Sequence, residues 1–227
     1  MPGGSIARIF VKFVMVAAIM TATLRLVSGR PGWTRAWLYA GVVSGSQFLI
    51  AVYLVRVSPD LMVERSRIRE GTKTFDKILA PAVVVGPLVV WVVSALEVRS
   101  TWPPVVPAAW SAAAFVLLAL SFWFVAWAMV ANRFFSATVR IQTERGHVVT
   151  DGGPYRFVRH PGYLAIAVFD LASPVALGSW RALIPAVLTV AALVLRTALE
   201  DRTLRAELAG YRDYAARVPR RLLPGLW

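Results

Sequence analysis

The sequence predicts an all-α, polytopic integral membrane protein, and three observations predict it. Apolar residues come in blocks of membrane-crossing length. The chain is 58% hydrophobic and 16% charged, against roughly 45–50% and about 25% in soluble domains. A soluble fold of that composition could not cover its own surface with polar groups. The basic residues, which give a net charge of +13, lie between the apolar blocks rather than on a polar domain of their own. Topology-setting charges are distributed that way, and a nucleic-acid-binding face is not.

The first block, residues 6–27, places Arg8 and Lys12 ahead of an apolar run from Phe13 to Leu24 and loosely resembles a secretion signal. Arg25 interrupts it where cleavage would fall and no small-x-small site follows, so an uncleaved first span is expected. Blocks at 36–55, 78–96 and 110–131 each hold about twenty residues, enough at 1.5 Å per residue for one crossing. Gly41 and Gly45 form a small-xxx-small pattern that suits close helix packing. Pro81 and Pro87 are expected to bend the third span. Trp102-Pro-Pro-Val-Val-Pro107 reads as a short, stiff loop.

The last apolar region, 163–199, is long enough for two helices, and the break at Gly178-Ser179-Trp180-Arg181 predicts a tight hairpin. About six transmembrane helices result, because lipid requires every backbone polar group to be satisfied within its own segment. A short helix carrying Tyr211 and Tyr214 on one face follows and ends before Pro219. It reads as an amphipathic, interfacial C-terminal helix.

Six spans with a cytosolic N-terminus return the C-terminus to the cytosol. On that topology 20 of the 25 Lys and Arg residues fall inside and five outside, as the positive-inside rule requires. Trp33, Trp37, Trp102, Trp110 and Trp180 then fall near the outer interface. The expectation is a plasma or inner membrane protein with both termini and its active site on the cytosolic face. Residues 1–227 form one membrane domain, in which 1–131 supplies four spans and 132–227 holds the polar, irregular material where chemistry belongs.

Three polar elements stand out there. In Asp151-Gly-Gly-Pro-Tyr-Arg-Phe-Val-Arg-His-Pro-Gly-Tyr163, Gly152, Gly153 and Pro154 force a turn, and Pro161 suits the first turn of a helix. Arg159 and His160 then sit at a helix N-terminus, a natural carboxylate or phosphate site, or else serve as a topology charge and a cap. In Arg196-Thr-Ala-Leu-Glu200-Asp201, Arg196 and Glu200 share a helix face where the last span ends. A surface ion pair is the plain reading; ionisable groups near membrane depth favour function. The third element is Gly210-Tyr-Arg-Asp-Tyr214 with the tail beyond it. The absence of cysteine excludes disulfides, thiolate metal sites and a cysteine nucleophile, and neither histidine has metal-ligand spacing, so no metal site is expected.

Taken in order, Gly153-Pro-Tyr-x-x-x-Arg-His-Pro-x-Tyr163, Arg196-x-x-x-Glu200-Asp201, Gly210-Tyr-x-x-Tyr214, Val218-Pro and Arg221-Leu-Leu-Pro224 resemble the isoprenylcysteine carboxyl methyltransferase family of membrane enzymes. The resemblance spans about residues 132–227. It implies S-adenosylmethionine as cofactor, held in a cytosol-facing pocket closed by the C-terminal tail, and a lipophilic acceptor arriving from the bilayer. It further implies that Tyr155, Arg159, His160 and Tyr163 line the cofactor site, with Tyr211 and Tyr214 closing it. Arg196 and Glu200 would be the catalytic pair where cofactor and acceptor meet, Glu200 also touching the cofactor. Arg159 would grip the cofactor carboxylate, His160 the adenine or ribose, and Arg196 an acceptor carboxylate. Asp201 stands where the family usually carries a second Glu.

Two other classes share features. Membrane sterol and enone reductases that use a nicotinamide cofactor resemble this chain in the hairpin, the Arg-His-Pro-x-Tyr element and the Val-Pro-x-Arg tail, but want more basic residues before the last helix. A non-enzymatic membrane scaffold would have the same spans without needing Arg159, His160, Arg196 and Glu200 at these spacings. The acceptor's identity and the oligomeric state are not legible in the sequence.

Overall fold

The computed structural model describes the backbone of residues 3–65 and 70–223, and side chains from residue 10 onward within those ranges. Arg67, Arg69, Pro224 and the side chain of Arg8, which belong to the charge count and the motif set, lie outside the described residues. The described residues form eight α-helices and no strand: α1 Gly3–Ser28, α2 Thr34–Val57, α3 Pro59–Arg65, α4 Asp76–Ser100, α5 Ala108–Ala131, α6 Pro161–Leu177, α7 Leu183–Glu207 and α8 Tyr211–Arg217. Two single 3₁₀ turns, Thr143–Arg145 and Gly153–Arg156, punctuate the long segment between α5 and α6.

Five helices are long and apolar enough to cross a membrane: α1 over Phe10–Ser28, α2, α4, α5 and α7. Their outer faces carry exposed large apolar side chains such as Val14, Leu49, Val84, Trp123 and Leu188, as lipid-facing helices do. The predicted hairpin is α6 and α7, but its first arm is short. With 17 residues, α6 is about 26 Å long, less than the roughly 30 Å hydrocarbon thickness. Pro161 sets its start, and Gly178, at φ +91°, ends it in a left-handed cap. A Cβ at Gly178 would lie 2.6 Å from Arg35 Nη1 and from Pro104 Cβ, so the hairpin turn is packed as well as bent.

The bundle has two distinct ends. At the hairpin-turn end, Trp33 Nε1 donates to the Leu177 carbonyl (3.2 Å) and Arg35 Nη1 to the Val106 carbonyl (2.8 Å). The Glu97 carboxylate accepts from the Ser179 hydroxyl and the Arg181 N–H. Trp37, Trp102, Trp110 and Trp180 are exposed there as expected, whereas Trp33 is fully buried: its indole N–H is consumed by the hairpin rather than by an interface.

The core between the ends is built from Met20, Leu24, Tyr39, Trp91, Leu118 and Leu177, contributed by α1, α2, α4, α5 and α6. A buried relay crosses it. Trp91 Nε1 donates to the Tyr39 hydroxyl (3.2 Å), which donates to Ser173 Oγ (2.9 Å). Close helix approach does not occur at Gly41 and Gly45, where an added Cβ would meet nothing within 4 Å. It occurs between α4 and α7, where the side chain of Thr189 fills the space a Cβ on Gly86 would need.

α8 also differs from expectation. Tyr211, Tyr214 and Ala215 are buried against Ala128, Tyr155 and Leu208, so its apolar face packs on the protein instead of on lipid. The polar segment, the C-terminal half of α7, α8 and the tail thus gather at the end of the bundle opposite the hairpin turn.

Candidate active site

That end is organised around buried carboxylates. Asp201, 1% exposed, accepts from Arg159 Nε at 2.7 Å and Nη2 at 3.1 Å. It also accepts from the Tyr211 hydroxyl at 2.9 Å, Arg205 Nε at 3.0 Å and Arg221 Nε at 3.1 Å. The anion position that the sequence offers beside Arg159 is therefore filled by the chain's own Asp201. Arg159 Nη1 donates to the Val218 carbonyl (2.7 Å), so three of the five guanidinium N–H groups are engaged within the chain and one on each Nη remains.

The tail is strapped on by the same residues. The backbone N–H groups of Arg159 and His160 donate to the carbonyls of Arg220 (2.9 Å) and Arg221 (3.0 Å). Tyr214 donates its hydroxyl to the Tyr155 carbonyl (2.8 Å), and Asn132 Nδ2 donates to the Tyr155 hydroxyl (3.2 Å). Burial raises Tyr155, Tyr211 and Tyr214 above the ordinary tyrosine value, so all three stay protonated hydroxyls.

A second pair lies deeper. Arg196 Nε and Nη2 hold Asp76 Oδ1 and Oδ2 at 2.6 and 3.2 Å, and Nη2 also reaches the Ala137 carbonyl at 2.9 Å. Asp76 in turn accepts the Val139 N–H at 2.7 Å. Arg196 and Glu200, which the sequence puts on one helix face, are not paired. Glu200 accepts from the Tyr163 hydroxyl, and the Arg196 guanidinium lies over the Tyr163 ring, 5.0 Å from its centroid.

A cleft with a cavity volume of about 100 Å³ opens between these elements. Tyr155, Arg159, His160, Tyr163, Glu200, Tyr211 and Tyr214 all line it; Arg196 does not. Arg196 stands behind the cleft wall, in contact with Tyr163 and Asp76. The His160 and Tyr163 rings are parallel within 6° at a centroid distance of 5.7 Å.

The opposite wall is the 134–150 segment, which sequence reasoning marked only as polar and irregular. Asn132 staples its two ends: Oδ1 accepts from the Phe134 N–H (2.8 Å) and the Thr150 hydroxyl (3.2 Å). Gln142, fully buried, donates Nε2 to the Phe134 carbonyl (2.6 Å) and accepts from Arg145 Nη1 (2.5 Å). His147 Nδ1 accepts the Gln142 N–H, and its ring stacks on Phe134. Burial, with Arg140 and Arg145 adding to it, lowers His147 to about 4, so it is neutral at physiological pH. Arg140 bonds Glu64 (2.5 Å) and Glu144 (2.8 Å), while its buried Nε has no partner among the described residues. The sequence signal for this wall was Asn132, a polar residue ending an apolar span; nothing marked Gln142 or Arg140.

Residues 110–206, from α5 through nearly all of α7, match the model of the isoprenylcysteine carboxyl methyltransferase (ICMT) family. The match includes Tyr155, Arg159, His160, Tyr163, Arg196 and Glu200 and stops short of Tyr211, Tyr214 and the tail. No curated protein matches the chain. The segment that matches the ICMT model includes most of the cleft and, with the five long apolar helices, supports a membrane methyltransferase.

Proposed function

We propose that the protein transfers a methyl group from S-adenosylmethionine to a lipophilic acceptor, in the cleft at the end of the bundle that carries α8 and the tail. The observation that carries this reading is the convergence on one cleft of seven of the eight residues that the ICMT resemblance nominates. The donor set fits the cofactor. Glu200 offers a carboxylate to a sulfonium cation or a ribose hydroxyl, and the His160–Tyr163 pair offers an aromatic face. Arg140 Nε is a buried, unpartnered donor on the cleft wall for a carboxylate oxygen.

The cofactor supplies a methyl carbon bonded to a cationic sulfur. With the cofactor bound, an acceptor lone pair would take that methyl carbon while the carbon–sulfur bonding pair stayed on sulfur, leaving a neutral thioether. A carboxylate acceptor releases no proton, so no acid–base pair is needed. Orientation and exclusion of water are what this chain's residues contribute. Tyr163, fixed by Glu200 on one side and Arg196 on the other, forms a rigid wall beside the reacting atoms. The tail, tied by Arg159 to Asp201 and Val218, excludes water from above.

The preference of Lys and Arg for inner segments supports a cytosolic position for this end of the bundle, the side on which a water-soluble cofactor would enter. Calorimetric titration of nanodisc-embedded protein with S-adenosylmethionine and with NADPH tests the reading. S-adenosylmethionine is expected to bind, and Glu200→Gln to weaken binding or turnover about 10- to 100-fold, as loss of a charge-assisted hydrogen bond does. A response to NADPH alone would replace the methyltransferase with a reductase.

A further inference from the structure

A second cavity, wholly different in character, lies within the bundle. Its volume is about 480 Å³, enclosed by α1 to α6, with Phe13, Ile50, Leu54, Val84, Phe122 and Phe169 among its walls. A purely apolar chamber would need no polar atoms. This one has two that are buried and without a hydrogen-bond partner among the described residues: Arg65 Nη1 and Asp170 Oδ2. Asp170 is 2% exposed and sits midway along α6 at membrane depth. Leaving such groups unsatisfied is costly, and ionisable groups at this depth usually mark a ligand path.

The two groups stand at different levels of the cavity. The Arg65 guanidinium lies over the Phe135 ring, 4.8 Å from its centroid. That ring occupies the space beside Gly162, where a Cβ would come within 2.5 Å of it. Arg65 is therefore level with the start of α6, and Asp170 lies eight residues further on, about 12 Å along the helix axis. Phe135 also lines the cleft, so the Arg65 end of the cavity adjoins the proposed methyl-transfer site and the Asp170 end points away from it. Burial lowers Arg65 to about 10, and it remains cationic at neutral pH.

We propose that this cavity binds a single-chain amphiphile by two polar groups: an acidic head on Arg65 beside the cleft, and a hydrogen-bond-donating group, such as a hydroxyl, on Asp170 about 12 Å down the chain. The occupant is the methyl acceptor if the methyltransferase reading holds; binding at the two anchors does not depend on it. Arg65 thus takes the acceptor-carboxylate role that the resemblance gave to Arg196, which holds Asp76 and the Ala137 carbonyl and lines neither cavity. A plain hydrocarbon tail would leave Asp170 unsatisfied, so tails carrying a donor are preferred.

The test is displacement of tritiated decanoate from nanodisc-embedded protein by 10-hydroxydecanoate, decanoate and decan-1-ol, with S-adenosylmethionine binding measured on the same samples. The hydroxy acid is expected to bind about 10-fold tighter than decanoate, as satisfying a buried polar group that is otherwise unpaired does. Asp170→Leu removes that preference while decanoate still binds, and Asp170→Asn keeps part of it. Arg65→Gln removes the preference for decanoate over decan-1-ol. Equal binding of hydroxy acid and decanoate by the wild-type protein, or a preference that survives Asp170→Leu, overturns the proposal. Loss of S-adenosylmethionine binding in the wild type would instead overturn the methyltransferase reading and leave this one standing.

Discussion

Replacing Arg196 by alanine separates a structural from a chemical role for the residue that the sequence singled out. The substitution deletes both bonds to Asp76, at 2.6 and 3.2 Å, and leaves that carboxylate, 1% exposed, with only the Val139 N–H. Stranding one member of a buried ion pair costs about 3–5 kcal/mol, a large share of the roughly 5–15 kcal/mol that holds a folded domain together. For a chain of this size each kcal/mol shifts the midpoint by about 2–4 °C, so a drop of roughly 6–20 °C is expected. Thermal unfolding in nanodiscs, followed by tryptophan fluorescence, reads it.

The double variant Asp76→Leu/Arg196→Met removes both charges. It should recover most of that loss, because replacing a buried pair by apolar residues of similar volume is often neutral. The orphaned Val139 N–H retains a residual penalty of about 1–3 kcal/mol. Arg196→Ala protein that melts like wild type yet has lost all turnover would refute the reasoning. It would mean that the guanidinium touches the substrate and that the Asp76 bond contributes nothing to stability.

Two further outcomes follow from the packing and the titration. The His147 ring is lowered from 6.5 to about 4 in the folded protein, so the unfolded chain takes up a proton first as pH falls. Its contribution to stability is intact above pH about 6.5 and is lost progressively as pH falls to about 4; His147→Gln should flatten that part of a pH–denaturation profile. Gly86→Ala drives a methyl group into Thr189 and should destabilise by about 1–3 kcal/mol, partly relieved by Thr189→Gly. Gly41→Ala, with open space around it, should be neutral or slightly stabilising by the same thermal assay.

The sequence by itself determined where the helices are. A bilayer admits few solutions, so block length, the Gly178–Arg181 break and the Pro161 start read directly onto α1, α2, α4, α5, α6 and α7. It also located the cleft, because Tyr155, His160, Tyr163 and Glu200 are brought together largely by the α6–α7 hairpin, a local device. Only the tertiary structure decided which charges pair. Arg196 and Glu200 are one helical turn apart, yet Arg196 bonds Asp76, 120 positions away. Arg159 bonds Asp201, 42 positions away, and the Trp33 indole serves the hairpin turn rather than an interface. Periodicity fixes which face of a helix a residue occupies. It carries no information about which other helix meets that face, and in a low-dielectric interior the partner found there decides what a buried charge is for.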